Sequence, residues 1–404
     1  STTATVLIGS FAGEGGGGYM TRTVAIGDDT LNNTGTQNIS YGTFVGSEAG
    51  GGTWSGAGDE NTAIGYQAFK GAVNGANYNT VVGSQAGKAI TTGDNNTLLG
   101  VGAGAALTDG QGNVAIGKDA LNDAEDSEDY NIAIGHSSMS VLTSDAAHHN
   151  IAIGYQSLNG STSVGENNIA IGYQTLDSGS MAVGETIAIG ASALSALTSG
   201  TNNVAMGFEA LKNVVSGAKN IAIGYEAAEG FSVGESNNIA IGHETMTLFD
   251  EGDAGGDVDH NIAIGTQAFT GGDLASNDRQ VQGNIAIGGF ALNSTADNAM
   301  TGTIAIGYNA LTALTSGVNN LAIGFQAGSA LTSGTYNLAI GGYALDAEDT
   351  SDGNVAIGWQ ALTTQNAVDN AGNTAVGYQS LFALTTAVGS TAIGYKSGQS
   401  VTTG

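Results

Sequence analysis

Asn220-Ile-Ala-Ile-Gly224 decides the fold, because the same pentad returns along the whole chain. It reappears as Asn61-Thr-Ala-Ile-Gly65, Asn113-Val-Ala-Ile-Gly117, Asn168-Ile-Ala-Ile-Gly172, Asn284-Ile-Ala-Ile-Gly288 and Asn354-Val-Ala-Ile-Gly358. Its closing glycine runs from Gly9 to Gly394 in 22 copies spaced 17 to 19 residues apart, with two spacings of 23 between Gly242, Gly265 and Gly288. A fixed period of this length decides the architecture before any other signal is read.

Counting from the marker glycine as position 0, position −1 is aliphatic throughout (Ile64, Leu99, Ile116, Met206, Ile223, Ile357) and position −3 is β-branched or Leu. Position −2 is usually Ala, and position −4 is Asn in 16 of the 22 copies. Alternation with period 2 over a short run rich in β-branched residues predicts a strand. After the glycine, +3 is small (Ala68, Ala120, Ser157) and +4 is often large and apolar (Phe69, Leu121, Leu158), which predicts a bend or second short strand with an inward side chain. Length varies between about +5 and −5, in stretches rich in Thr, Ser, Gly, Asn and Asp whose turn chemistry belongs on the surface.

The expected fold is all-β: one parallel β-solenoid of about 22 coils, a β-roll or β-helix occupying residues 1–404, with longer insertions around 247–259 and 270–282. Coils stacked about 4.8 Å apart would give a rod on the order of 100 Å. In this reading the Ile and Leu rows stack into a thin core. The −4 row (Asn61, Asn113, Asn220, Asn354) forms an amide ladder of side chain on side chain. Gly65, Gly117, Gly224 and Gly358 mark a corner that needs positive φ or a close backbone approach. The absence of proline fits strands that hydrogen-bond on both sides. The chain begins with Ser1 and opens inside the repeat pattern, which reads as a section of a longer polypeptide or its processed product.

Composition narrows the function. Eight Lys and Arg against 36 Asp and Glu give a formal net charge of −28, so nucleic acid and anionic membranes are repelled. The absence of cysteine excludes disulfides, thiolate-ligated zinc and iron–sulfur clusters. No apolar run reaches the length of a membrane span.

Candidate chemistry is sparse. The histidines (His136, His148, His149, His243, His260) stand with no Ser or Cys at a constant offset, so no nucleophilic constellation emerges. Gly83-Ser-Gln-Ala-Gly-Lys88 is one residue short of a P-loop and has Ala89 where Ser or Thr is needed. The acidic turn with Asp253, Asp257 and Asp259 offers hard oxygen ligands for calcium, against the alternative of a solvated turn. Position +1 carries a row of aromatic residues: Tyr155, Tyr173, Phe208, Tyr225, Tyr308, Phe325, Trp359, Tyr378 and Tyr395. These rings could stack on one another, pack one subunit against the next, or offer platforms to sugars.

Asn61-Thr-Ala-Ile-Gly-Tyr-Gln-Ala-Phe69 and Asn373-Thr-Ala-Val-Gly-Tyr-Gln-Ser-Leu381 resemble the head repeats of YadA-type trimeric autotransporter adhesins. They also resemble the repeat arrays of phage and bacterial tail fibres. The resemblance covers nearly the whole chain. It implies a β-roll, three chains side by side, and a non-enzymatic structural or adhesive role outside the cell or on a virion. The alternatives are a subunit that polymerises end to end through open strand edges, a glycan- or ice-binding solenoid, and, last, a left-handed β-helix acyltransferase. Cofactors are expected to be none, calcium excepted. Partners are expected to be other copies of the chain, with a cell-surface glycan or receptor as the external ligand.

Overall fold

A computed structural model describes residues 4–14, 17–123, 128–141, 147–160, 164–178, 182–249, 257–272, 280–295, 298–347, 350–365 and 371–403. The chain forms two compact units, Ser1–Thr201 and Asn202–Gly404, built from the same coil. The described residues are all β and turn, with no helix. This is the parallel β-solenoid that the repeat predicts. In the first unit eleven three-residue strands, from Val6–Ile8 to Ile187–Ile189, occupy the pentad positions, and in the second unit eleven more run from Val204–Met206 to Thr391–Ile393.

Register is strict. Ile151, Ala152 and Ile153 pair in parallel with Ile169, Ala170 and Ile171, so each position of the pentad stacks on its own kind. The two 23-residue spacings preserve this: Ile239 pairs with Ile262 and Ile262 with Ile285. Extra length is absorbed outside the pentad, where Asp257–Asp259, Gln280–Gln282 and Met300–Thr301 form a second small parallel sheet. Met20–Thr21 and Ile39–Ser40 make a comparable pair in the first unit.

The burial of the pentad inverts one expectation. Ala63, Ala115, Ala133, Ala152, Ala222 and Ala356 at −2 are fully buried, whereas the flanking aliphatic residues point outward: Ile64 is 38% exposed and Leu99 47%. The isoleucine rows therefore do not form the core. The reason lies opposite the strand. Position +4 fills the narrow interior with Leu121, Leu158, Leu176, Leu211, Leu292 or Leu362, all buried, and leaves room across from it for a methyl group.

Where the strand carries a larger inward residue, the opposite side gives way. Leu7, Phe44, Val81 and Leu98 replace alanine at −2, and the +4 position in those same coils is Gly13, Gly50, Gly87 and Gly104. Two further inward rows come from the stretch read as variable. Position +7 supplies buried Ile90, Leu107, Leu197, Val214, Phe231, Phe249, Leu314, Leu331 and Leu384, and position −7 supplies Ala76, Ala147, Val183, Val258, Val281 and Met300.

The turns are held as tightly as the strands. Positions −5, +2 and +4 adopt left-handed backbone without glycine, as in Tyr78 (φ 61°), Gln67 (φ 55°) and Leu121 (φ 50°). Such residues are uncommon because Cβ crowds the following carbonyl, at about 1–2 kcal/mol each. Here each N–H still reaches a neighbouring coil: Gln67 donates to the Ser47 carbonyl at 3.0 Å, Phe69 to Ala86 at 3.0 Å and Tyr78 to Asp59 at 3.1 Å. The marker glycine is irreplaceable on both counts. Gly224 has φ 141°, and a Cβ there would lie 2.1 Å from the carbonyl oxygen of Gly242.

Candidate functional site

The sites that the sequence points to fall into buried ladders and outward rows. The −4 asparagines are buried, and each one serves the coil that follows it. The Asn61 Oδ1 accepts the backbone N–H of Asn79 at 2.9 Å, and its Nδ2 donates to the Ala76 carbonyl at 2.9 Å. Asn113 repeats this toward Asn131 and Glu128, and Asn220 toward Asn238 and Glu235. Asn354 Oδ1 accepts the N–H of Asn373 at 3.0 Å. The expected amide-on-amide ladder is present, and side chain to backbone bonds run alongside it. Its rungs include Asn96 Nδ2 to Asn79 Oδ1 at 3.1 Å, Asn168 to Asn150 at 3.0 Å, Asn284 to Asn261 at 3.0 Å and Asn354 to Asn337 at 3.2 Å. At the first step Asn79 Nδ2 donates to Asn61 Oδ1 at 3.1 Å. One Oδ1 accepts both the backbone N–H and the side-chain amide of the next asparagine, because each coil has an N–H and a turn carbonyl that the strand pairing leaves without partners.

A second ladder runs the opposite way at −6. Here the side chain accepts from the coil before it: Asp59 Oδ1 takes the Ser40 N–H at 2.9 Å, Asn77 the Asp59 N–H at 2.8 Å, and Asp129 the Gln111 N–H at 2.8 Å. His148 joins it by accepting the Asp129 N–H at Nδ1, 3.1 Å away. Asp259, read as a calcium ligand, also belongs to this row, its Oδ1 accepting the Ser236 N–H at 2.7 Å. Asp253 lies outside the described residues, as do the side chain of Asp257 and most of the two insertions. Among the described residues no three His, Asp or Glu side chains stand together as a metal site. The −6 row was legible as an excess of Asp, Asn and Ser at one offset, but that offset falls in the stretch whose length varies.

The +1 residues form half-exposed runs of stacked rings. His136, Tyr155 and Tyr173 stack in the first unit at 5.5 and 5.4 Å between centroids, tilted by 13° and 11°. Phe208, Tyr225 and His243 do the same in the second unit, as do Tyr308 with Phe325 and Tyr378 with Tyr395. Where +1 is Gly289 or Gly342, the ring moves to +2: Phe290 meets Tyr308 edge-on at 5.7 Å, and Tyr343 bridges Phe325 and Trp359 at 5.3 and 5.1 Å. In the parallel-stacked runs ring faces cover ring faces, which leaves edges outward. Sugar-platform binding needs open faces, so the geometry favours mutual stacking.

Position +2 adds a polar row. Gln85 donates to Gln67 at 3.3 Å, Gln67 to Glu48 at 3.1 Å and Gln379 to Gln360 at 2.9 Å. Lys70 also bonds Glu48, and these hydrogen bonds hold the Glu48 carboxyl below the usual range. Glu209, Glu226 and Glu244 occupy the same row in successive coils, with Lys212 on Glu209 at 3.0 Å. The Tyr225 hydroxyl is pushed up first by its hydrogen bond with Glu226 and further by the charges of this run. Gly83-Ser-Gln-Ala-Gly-Lys88 is the ordinary turn after the strand Thr80–Val82, with no helix to receive a phosphate.

The remaining outward feature is the strand face itself. Positions −3 and −1 hold only Val, Ile, Leu, Met and Thr in every coil of both units, including Ile116, Ile223 and Ile357, and not one charge. Compared with protein-family models and with curated proteins, the chain matches none.

Proposed function

We propose that the chain is a non-enzymatic structural element of an extracellular fibre, in the manner of adhesin heads and tail fibres, and that it works as an assembly of copies. One observation carries this reading: each coil spends its buried groups on the coil above and below. Alanine, leucine, asparagine and −6 acceptor rows are all consumed by stacking, and what varies outward is repeated rather than convergent. Enzyme sites gather unlike groups at one point; this chain spreads like groups along a line.

The resemblance of the Asn-x-Ala-Ile-Gly repeats to adhesin and tail-fibre arrays supports an address outside the cell or on a virion. The test is immunogold labelling of intact and permeabilised source material with antibody against the purified chain. Label on intact surfaces or particles supports the reading, and label confined to permeabilised interiors overturns it.

A second reading, binding to an ordered lattice such as ice, is favoured by one patch. Thr43, Thr62, Thr80 and Thr97 occupy −3 on four adjacent strands, each followed two residues on by Val45, Ile64, Val82 or Leu99. Thermal hysteresis of the purified chain, lost in a Thr62→Leu/Thr80→Leu variant, would establish it.

A further inference from the structure

We infer that the groove between the +2 and +5 rows of the second unit, over the coils from Gly224 to Gly288, binds a primary ammonium group on an aliphatic stem. The groove holds a cavity of about 350 Å³ whose lining includes Glu226, Glu229, Glu244, Gln267, Thr270 and Leu248. The site belongs to a single chain and goes beyond the structural reading above.

The repeat supplies the reference that identifies the ligand. In the first unit Glu48 at +2 accepts a hydrogen bond at 3.1 Å from the Nε2 of Gln67, the +2 residue of the next coil. Lys70, at +5 of that next coil, brings its ammonium onto the same Glu48 carboxylate. In the second unit Glu244 at +2 accepts the corresponding bond from Gln267, +2 of the next coil, at 2.5 Å. Acceptor and amide thus correspond residue for residue. The third member does not: +5 is Thr270 instead of lysine, and Glu244, Gln267 and Thr270 all line the cavity.

The chain supplies no substitute for that cation from the surrounding sequence. Between Lys219 and Arg279 it has eleven acidic residues and no lysine or arginine, and Arg279 lies outside the described residues. Lys212, at +5 of the coil before the groove, is taken by Glu209 at 3.0 Å. His243 Nδ1 stands 3.7 Å from Glu244 and carries a charge only when protonated. Other donors in the groove are neutral. Asn213 Nδ2 reaches Glu229 at 3.2 Å, and the Tyr225 hydroxyl bonds Glu226. Charge-assisted hydrogen bonds are roughly twice as strong as neutral ones, so an arriving ammonium gains over what is already present.

The arrangement selects an amine over a metal ion. Divalent cations need several oxygens converging on one point, and among the described residues no three His, Asp or Glu side chains do so. The carboxylates are instead strung along two rows, in successive coils about 4.8 Å apart, which suits the two ends of a short diamine. Leu248, 59% exposed, offers an apolar wall. A methylene stem can lie on such a wall while its charged head meets a carboxylate.

The test is isothermal titration calorimetry of the full chain at pH 8 and low ionic strength. The probes are cadaverine, Nα-acetyl-lysine methylamide, tetramethylammonium and calcium. Cadaverine and the lysine amide carry the same ammonium, one as a free diamine and the other as a side chain, and the tighter of the two identifies the source. Tetramethylammonium has the charge without the N–H donors.

Wild type should bind the primary amines saturably and in preference to tetramethylammonium and calcium. Glu244→Gln should weaken that binding at least tenfold. Thr270→Lys installs the chain's own ammonium in the position of Lys70 and should abolish it, whereas Thr270→Val should bind as wild type does. Circular dichroism checks that each variant folds, and if Glu244→Gln does not, the two Thr270 variants decide.

Three results would overturn the inference. One is tetramethylammonium or calcium binding as tightly as the amines, which is attraction to net charge alone. Another is the absence of amine binding to wild type, and the last is amine binding that survives Thr270→Lys unchanged. All of them concern one groove of one chain, so the immunogold test of the fibre reading stands or falls separately.

Discussion

Phe44 and Gly50 occupy one volume from two sides of a coil: a Cβ added to Gly50 would lie 2.7 Å from Phe44 Cδ1. Most coils divide that space as Ala at −2 and Leu at +4. Gly104 and Leu98 show the same exchange, with 2.9 Å between a Gly104 Cβ and Leu98 Cδ1. The pair should therefore behave as a unit. Leu98→Ala alone is expected to cost about 2–5 kcal/mol through the cavity it opens. Gly104→Leu alone is expected to cost about 1–3 kcal/mol through overpacking. The double variant restores the common arrangement, since leucine at +4 already accepts left-handed backbone at Leu121 (φ 50°). Denaturant unfolding should give a coupling energy of about 2 kcal/mol or more in favour of the double variant; additive costs would refute the exchange.

Inside and outside of the strand can be told apart the same way. Ala222→Ile forces a larger side chain into the filled interior and should destabilise by about 1–3 kcal/mol. Ile221→Ala, one residue earlier and facing out, should change the stability of the unassociated chain by less than about 1 kcal/mol. Thermal melts at a concentration where the chain is dispersed compare the two, and the reverse order would restore isoleucine to the core.

The asparagine ladder makes a prediction about orphaned backbone. Asn79 Oδ1 accepts the Asn96 N–H at 3.0 Å, and its Nδ2 donates to the Gly93 carbonyl at 2.9 Å. Asn79→Ala leaves both buried without partners, at about 1–3 kcal/mol each. Asn79→Asp keeps the acceptor but loses the donor and buries a charge, so it should be at least as damaging at neutral pH. Hydrogen exchange at Asn96 reads the loss locally, and unchanged protection there would contradict the ladder.

Gly224→Ala should be among the most harmful single changes, because neither partner can yield: the added methyl would meet the Gly242 carbonyl at 2.1 Å. A cost of about 4 kcal/mol or more is expected. By contrast Gly353→Ala, where a Cβ meets nothing within 4 Å at φ 69°, should cost about 1 kcal/mol for the backbone alone. Comparable unfolding midpoints for the two would rule out close stacking as the reason for the marker glycine.

Acid should stabilise part of the structure. Burial pushes the Asp177 carboxyl up to about 6 from 3.8, against hydrogen bonds from Gln174 and Asn159 that lower it. Burial raises Asp346 to about 6 in the same way, and its Oδ1 has no hydrogen-bond partner. A carboxyl with a folded-state pKa above its unfolded value takes up protons on folding. Its destabilising effect is complete above about pH 6 and disappears as pH falls through 6 toward 4. The melting temperature should rise between pH 7 and pH 4.5, and Asp177→Asn/Asp346→Asn should flatten that rise. A midpoint that falls over this range in wild type but not in the variant would reverse the assignment.

The period, the strand and the glycine corner were legible in residues such as Asn220 to Gly224 because they depend on local geometry repeated in register. A three-residue strand between Asn and Gly reads the same whatever it packs against. The inward leucine at +4 was legible too, from its small-then-large spacing at Ala120 and Leu121. Which face of the strand turned inward was not. Alternation of Ile and Ala fixes two faces without naming them, and hydrophobicity alone favours isoleucine inside. The choice was made across the coil, where Leu121 or Leu158 fills the interior and leaves space for a methyl group, so alanine is buried and isoleucine is presented. The −6 acceptors and the inward +7 row escaped notice for a related reason: their offsets are constant but their residue types are not. Position +7 holds Thr34, Leu107, Phe231 and Gln365, and −6 holds Asp59, Asn77 and His148, so only stacking shows that they share a role. Sequence determined that the chain repeats; packing between opposite sides of each coil decided what the repeat hides and what it shows.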